Sequence, residues 1–222
     1  MLNKKQDIKV CSRGYVMKFE EYSYLNGLEI IRNIPEVYEK YQEVLCAIKS
    51  IKDDEIIAKY YDLDSGKSLG TALKRIIEEK VVDLNWERNV PIFDDKEVNT
   101  GGGRWKSDFV LPSYFSMVVS FEHSSAMTNN LMKLELASEE SHMNKNVQTK
   151  FGILITTTNE LKINGGFDNV VGEFEKYQVH CRVLQNHLKT PMIIIGLKAP
   201  ESFRITHEKV DGRNKGDIEF IV

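Results

Sequence analysis

The spacing of apolar positions divides the chain into segments of different period. In PEVYEKYQEVLCAIKSI, residues Val37, Tyr38, Tyr41, Val44, Leu45, Ile48 and Ile51 recur at intervals of three and four, which is the single buried stripe of an amphipathic helix. Before it, residues 15–24 read as a strand, Asn26 as the cap of a helix, and Pro35 as a first-turn residue, where a missing N–H costs nothing. The polar run DLDSGKS is a turn, and a second helix over residues 69–84 closes ahead of WERNVPI. FDDKEVNTGGGRW is a loop, with Gly101, Gly102 and Gly103 serving either as a flexible connector or to let another backbone approach.

A hairpin over 107–123 follows, then a helix over 125–140, the strand FGILITTT, a long helix over 169–187 and a last core strand, PMIIIGL. FGILITTT and PMIIIGL are apolar at consecutive rather than alternate positions, as strands covered on both faces are. Strands alternating with helices predict the α/β class, with a mixed β-sheet flanked by helices on both faces.

The length of 222 residues fits one domain spanning the whole chain. A hydrophobic content of 41% with 28% charged residues is that of a globular protein, and no apolar run nears the ~18 residues that cross a bilayer. The opening MLNKKQDIKVCSRG is basic but has no apolar secretory stretch, so a cytoplasmic location is expected, with no membrane partner. Cys11, Cys46 and Cys181 are odd in number and lack CxxC spacing, which points to reduced thiols rather than a disulfide framework or a zinc knuckle. A net charge of -3 excludes a blanket nucleic-acid binder, so DNA affinity has to come from local patches. Two offer themselves: Lys4, Lys5, Lys9, Arg13 and Lys18 near the start, and Arg204, His207, Lys209, Arg213 and Lys215 near the end.

Several motifs fail on spacing. Gly66-Lys67-Ser68 resembles the end of a phosphate-binding loop, but Tyr61 stands where the first glycine belongs. His180 and His187, seven apart on the long helix, lack a third ligand, and no serine sits in a nucleophile elbow. The hairpin SDFVLPSYFSMVVSFEH is different. Side chains alternate along a strand, so Val118, Ser120 and Glu122 share a face, and a turn near 112–114 sets Val118 opposite Asp108. Phosphodiester cleavage needs carboxylate and carbonyl oxygens around Mg²⁺; Asp108 supplies one and Val118 cannot.

YSYLNGLEII with its following helix, WERNVPI, the DF of Asp108 and Phe109, SFEH leading into TNNLMKLEL, and TPMIIIGLKAP together resemble the BglII/BstYI group of Type II restriction endonucleases, with gaps, from Tyr22 to Pro200. The resemblance implies the restriction-endonuclease-like core fold, a homodimer on palindromic double-stranded DNA, a GATC core in the site, and cleavage with Mg²⁺. It assigns the metal to Asp108 and the backbone carbonyl of Val119, and it puts Asn89 in the active-site neighbourhood. Where relatives carry Glu-x-Gln, this chain has Val118 and Ser120.

The candidate catalytic set is therefore Asp108, Asn89, Ser120 and Glu122. A two-residue step along a strand covers ~6.5–7 Å against a metal–oxygen distance of ~2.1 Å, so Glu122 replaces the missing acid only through a bulge or shifted register. Its competing role, which the resemblance implies for residues just past the catalytic strand and which it shares with His123, is DNA-binding: glutamate accepts from a cytosine amino group and histidine donates to a purine. Two functions lead as expectations, a Type II site-specific deoxyribonuclease and a sequence-specific DNA-binding homodimer that has lost cutting, with a structural interaction protein that has no DNA role as the third.

Overall fold

The computed structural model describes residues 14–99, 105–138, 144–210 and 213–221. Three parallel strands form the centre of a six-stranded mixed sheet: β4 (Phe115–Val119), β5 (Phe151–Thr157) and β6 (Met192–Leu197). Antiparallel strands complete it, with β3 (Lys106–Leu111) and then β2 (Glu87–Pro91) beside β4, and β1 (Phe19–Tyr24) beside β6. Every residue of β4, β5 and β6 is buried. The consecutive apolar runs thus have the cause assigned to them, helices on both faces.

Alternation along the strands decides which face each side chain serves. Phe115, Met117, Val119, Ile153, Ile155, Ile193 and Ile195 pack into one core with α1 (Gly27–Arg32), α2 (Pro35–Lys49), α3 (Asp53–Asp62) and α4 (Gly70–Val82). Val118, Leu154 and Ile194 pack into the other with α6 (Met127–Ser138) and α8 (Phe174–Val183). The expected α2 stripe is buried apart from Tyr38, which is only partly covered. Gly27 lets α1 lie against the sheet: a Cβ there would sit 2.8 Å from the Met192 carbonyl oxygen.

The observed elements depart from the expected ones in several places. Asn26 holds the N-cap position of α1 at φ 54 but makes no capping bond; the Ser23 hydroxyl accepts from the Leu28 N–H instead. The helix α3, with Ile56, Ile57 and Tyr60 buried, occupies what the sequence offered only as an approach to the DLDSGKS turn. WERNVPI contains β2, an edge strand too exposed to show alternation. Short helices α5 (Lys96–Asn99) and α7 (Asn159–Asn164) lie within connecting stretches.

The helix expected over 169–187 is cut down to α8, because Val171 bridges to His123 and Glu173 is spent at the N-cap position. His187 consequently lies beyond the end of the helix that carries His180, and the two do not share a helix face. After β6 the chain continues into a separate two-stranded sheet of β7 (Phe203–Val210) and β8 (Arg213–Phe220), which the sequence reading did not foresee.

Gly101 to Gly103, Cys11 and the basic residues Lys4, Lys5, Lys9 and Arg13 lie outside the described residues. Among the described residues Cys46 and Cys181 are free thiols, the second pushed up to about 12 by burial. No helix among them is long and apolar enough to cross a membrane.

Candidate active site

The turn after β3 sets the geometry of the hairpin. Ser113 takes the left-handed conformation at φ 68, and the strands pair Leu111 with Phe115, Val110 with Ser116 and Phe109 with Met117. One further step in this register puts Asp108 opposite Val118, as the sequence predicts. On the other side β2 pairs Arg88 with Phe109 and Val90 with Ser107, which leaves Asn89 opposite Asp108. Asn89, Asp108, Val118 and, through the β4–β5 pairing, Leu154 thus form one row across the sheet.

Asn89 breaks the regularity of that row. At φ 54 it is the one residue of β2 in the left-handed region, which asparagine tolerates better than other side chains bearing a Cβ. The β2–β3 pairing is interrupted beside Asp108 and resumes on either side of it.

Asp108 is half-buried, and its Oδ2 accepts the Val119 N–H at 2.8 Å. The backbone pairing of β3 with β4 ends at Phe109 and Met117, so the carboxylate satisfies a donor that has no ladder acceptor opposite it. Hydrogen bonds to a charged group of this kind contribute about 1.5–3 kcal/mol. Oδ1 has no protein donor among the described residues, and the row beyond it turns apolar. Val118 is 1% exposed and packs with Met127, Leu131, Leu134 and Leu154, which leaves no polar side-chain atom opposite Asp108.

Ser120 is buried as well. Asn130 of α6 donates through Nδ2 to Ser120 Oγ at 2.8 Å and to Tyr177 Oη at 3.1 Å, joining the end of β4 to α6 and α8. Desolvation, reinforced by the charge of Glu122 and opposed by the hydrogen bonds from this cluster, pushes the Tyr177 phenol up to about 12. Asn130 and Tyr177 were not singled out from the sequence. The signal was there for Asn130: in MTNNLMKLEL it falls on the stripe of Met127, Leu131 and Leu134, an amide where periodicity calls for an apolar residue.

Glu122 and His123 lie past the end of β4. Glu122 is exposed, its carbonyl accepts from the Gly172 N–H at 3.0 Å, and it lines a cleft of about 530 Å³ between α4 and the segment after α7. His123 Nδ1 accepts the Ser125 N–H at 3.0 Å and caps the short 3-10 turn over Ser124–Ala126. In the neutral ring that leaves the proton on Nε2, a donor at an exposed position.

The structure therefore brings Asn89, Asp108 and the Val119 backbone together, tucks Ser120 under the strand end, and sets Glu122 and His123 apart beyond it. Among the described residues no three His, Cys, Asp or Glu side chains are grouped to hold a metal.

The C-terminal basic patch is neutralised at Arg204, while Lys209 faces Asn214 across the pair of strands. Cross-strand pairing sets Arg204 beside Glu219, bonded at 2.6 Å, and Glu208 beside Lys215, while His207 Nε2 meets the Lys67 carbonyl at 2.9 Å. The Arg213 side chain lies outside the described residues. Lys18, from the N-terminal patch, is bonded to Glu201 at 2.6 Å.

The family model described as restriction endonuclease BglII/BglIII matches residues 19–197, from the first residue of β1 to the last of β6. No curated protein sequence matches the chain. In fold the chain is similar to restriction endonuclease BglII in its crystal structure complexed with a DNA 16-mer, with a TM-score of 0.59, 18% identity and 92% of each chain covered. It is also similar to the crystal structure of free BglII, with a TM-score of 0.51, 18% identity, and 92% of this chain and 93% of that one covered. Since the family match takes in the whole six-stranded sheet and every candidate site residue, the chain belongs to the BglII/BglIII family of restriction endonucleases.

Proposed function

We propose that the protein is a Type II site-specific deoxyribonuclease whose 222 residues act as one endonuclease unit, working as a homodimer on palindromic double-stranded DNA with a GATC core. The observation that carries this reading is Asp108. Its carboxylate is fixed through Oδ2 to the end of β4, its Oδ1 has no protein donor among the described residues, and Asn89 stands opposite. Similarity to BglII, whose crystal structure holds a DNA 16-mer, supports duplex DNA as the substrate. A two-fold homodimer presents identical sites to the two halves of a palindrome.

The residues present fit Mg²⁺ in a particular way. With no group of three acidic or imidazole side chains among the described residues, they do not form a ready-made cage, but Mg²⁺ is usually held by one or two carboxylates together with substrate phosphate and water. Asp108 and the Val119 carbonyl would hold it, and when bound it neutralises the scissile phosphate and makes water easier to ionise. Asp108 orients through its bond to Val119, Asn89 approaches from the edge strand, and Ser120 serves as a strut held by Asn130. Glu122 and the Nε2 donor of His123 are left to read base edges.

A second reading, duplex binding without cutting, is favoured by one observation: Val118 lies in an apolar cluster, so the row holds a single carboxylate. Losing an acid from so small a site costs a thousandfold or more in rate, roughly 4 kcal/mol. The two readings separate in a cleavage assay with Mg²⁺ on palindromic duplexes containing GATC, run beside gel shifts in Ca²⁺. Specific nicking or double-strand cutting supports the first, and a specific shift without cutting establishes the second. A monomer in sedimentation, with and without DNA, would count against both.

A further inference from the structure

The cleft beside Glu122 has a charge pattern that the site around Asp108 does not use. Thr71, Lys74 and Arg75 of α4 form one side, Glu122 and Asp168 the other, and Phe121 with Phe167, ring centroids 5.8 Å apart, the floor. Most of these charges are already matched. Arg75 is bonded to Glu79 at 3.1 Å and lies 3.7 Å from Glu78, and Asp168 is paired with Lys67. Glu78, the i+4 neighbour that would normally engage Lys74, is taken by Arg88 at 2.6 Å. Lys74 is left half-buried in the cleft wall with no ion pair among the described residues, across from Glu122, which also has none.

The cleft is close to the scissile position. Glu122 is three residues past Val119, whose N–H holds Asp108, so the chain between them spans at most about 10 Å. That is the rise of about three base pairs of duplex. A DNA strand passing Asp108 with a base presented to Glu122 therefore carries its backbone over this cleft, where Lys74 stands without an ion pair among the described residues.

We propose that Lys74 binds a DNA phosphate in this cleft, flanking the base that Glu122 reads. The assignment rests on the DNA-binding reading above. Glu122 then supplies sequence preference, and Lys74 supplies affinity that is indifferent to sequence.

The test is the salt dependence of binding in Ca²⁺, with a GATC-containing palindromic 16-mer and a scrambled duplex of the same composition as probes. Lys74→Ala should lower the slope of log affinity against log salt by about 0.9, one phosphate's worth, and weaken both duplexes by the same factor. Lys74→Arg should keep the wild-type slope, and so should Lys59→Ala, since Lys59 is already bonded to Glu79. Glu122→Gln should change the ratio between the duplexes and leave the slope alone. An unchanged slope in Lys74→Ala, with wild-type binding intact, overturns the Lys74 assignment only. Absence of wild-type binding at low salt overturns the assignment and the DNA reading together.

Discussion

The Asp108 carboxylate bonds to the Val119 N–H at the point where β3 and β4 part, so the one acid of the hairpin row is also the group that closes the fork. Positioning and charge are therefore carried by the same side chain, and two substitutions can tell them apart.

Asp108→Ala should abolish Mg²⁺-dependent cleavage, a loss of a thousandfold or more, while specific binding in Ca²⁺ survives because base contacts lie elsewhere. Asp108→Asn can still accept from Val119 through its amide oxygen but has lost the charge. It should match the alanine variant in cleavage and lie between that variant and the wild type in thermal stability, because a neutral acceptor makes a weaker bond. Robust cutting by either variant would remove Asp108 from the site.

Metal binding should depend on DNA. With one carboxylate and a carbonyl as protein ligands, the free protein should take up Mg²⁺ or Ca²⁺ only at about millimolar concentration or above, and the scissile phosphate should tighten it. Calorimetric titration with Ca²⁺, with and without the duplex, reads this directly. Tight uptake by the free protein would mean that ligands other than Asp108 and Val119 form the site.

Replacing Val118 with Glu and Ser120 with Gln supplies the acid and amide that the family resemblance implies at these positions. The double variant should cut faster than the wild type. It should also unfold at lower urea concentration, because a carboxylate at position 118 enters a cluster of Leu131, Leu134 and Leu154. A double variant with unchanged activity would show that the missing acid is not what limits the rate.

Asn130→Ala strands Ser120 Oγ and Tyr177 Oη without their shared donor, and should cost about 1–3 kcal/mol of stability in urea unfolding. If Ser120 is a strut and not a reacting group, Ser120→Ala should reduce stability similarly and leave any cleavage within a few-fold of wild type.

Stability should fall in alkali. Burial raises the phenols of Tyr41, Tyr60 and Tyr177 above their ordinary value of 10.0, the last two to about 12. Above pH 10 the unfolded chain loses these protons while the folded chain retains them, so the unfolded state is favoured progressively from about pH 10 to about 12. Denaturation midpoints across that window should drop, and Tyr177→Phe, which also loses the Asn130 contact, should flatten the drop while lowering the plateau.

Legibility in the sequence followed burial. The central strands announced themselves as apolar runs, α2 as a stripe, and the Asp108–Val118 register as a count of residues across a short turn. β2 and α3 did not, since an exposed edge strand has no alternation and a ten-residue helix shows too few turns to fix a period. The resemblance put Asn89 in the neighbourhood of Asp108, but their place opposite one another became visible only once β2 was known to lie beside β3, a pairing between segments whose separation in the chain gives no local clue. The C-terminal patch was legible only as a list of basic residues, which does not show the acids that cross-strand pairing sets opposite Arg204 and Lys215.

The sheet is bounded by an unusual handshake, for among the described residues its first strand, β1, pairs only with its last, β6. During synthesis β1 leaves the ribosome long before its partner exists, and until β6 arrives it has no neighbour in the sheet. Order in the nascent chain can therefore begin with local pieces such as the β3–β4 hairpin and the packing of α3 on α4, but the sheet closes late. Such long-range pairing slows folding and leaves strand edges open meanwhile, so chains truncated ahead of Met192 should collect as aggregates and not as smaller folded units.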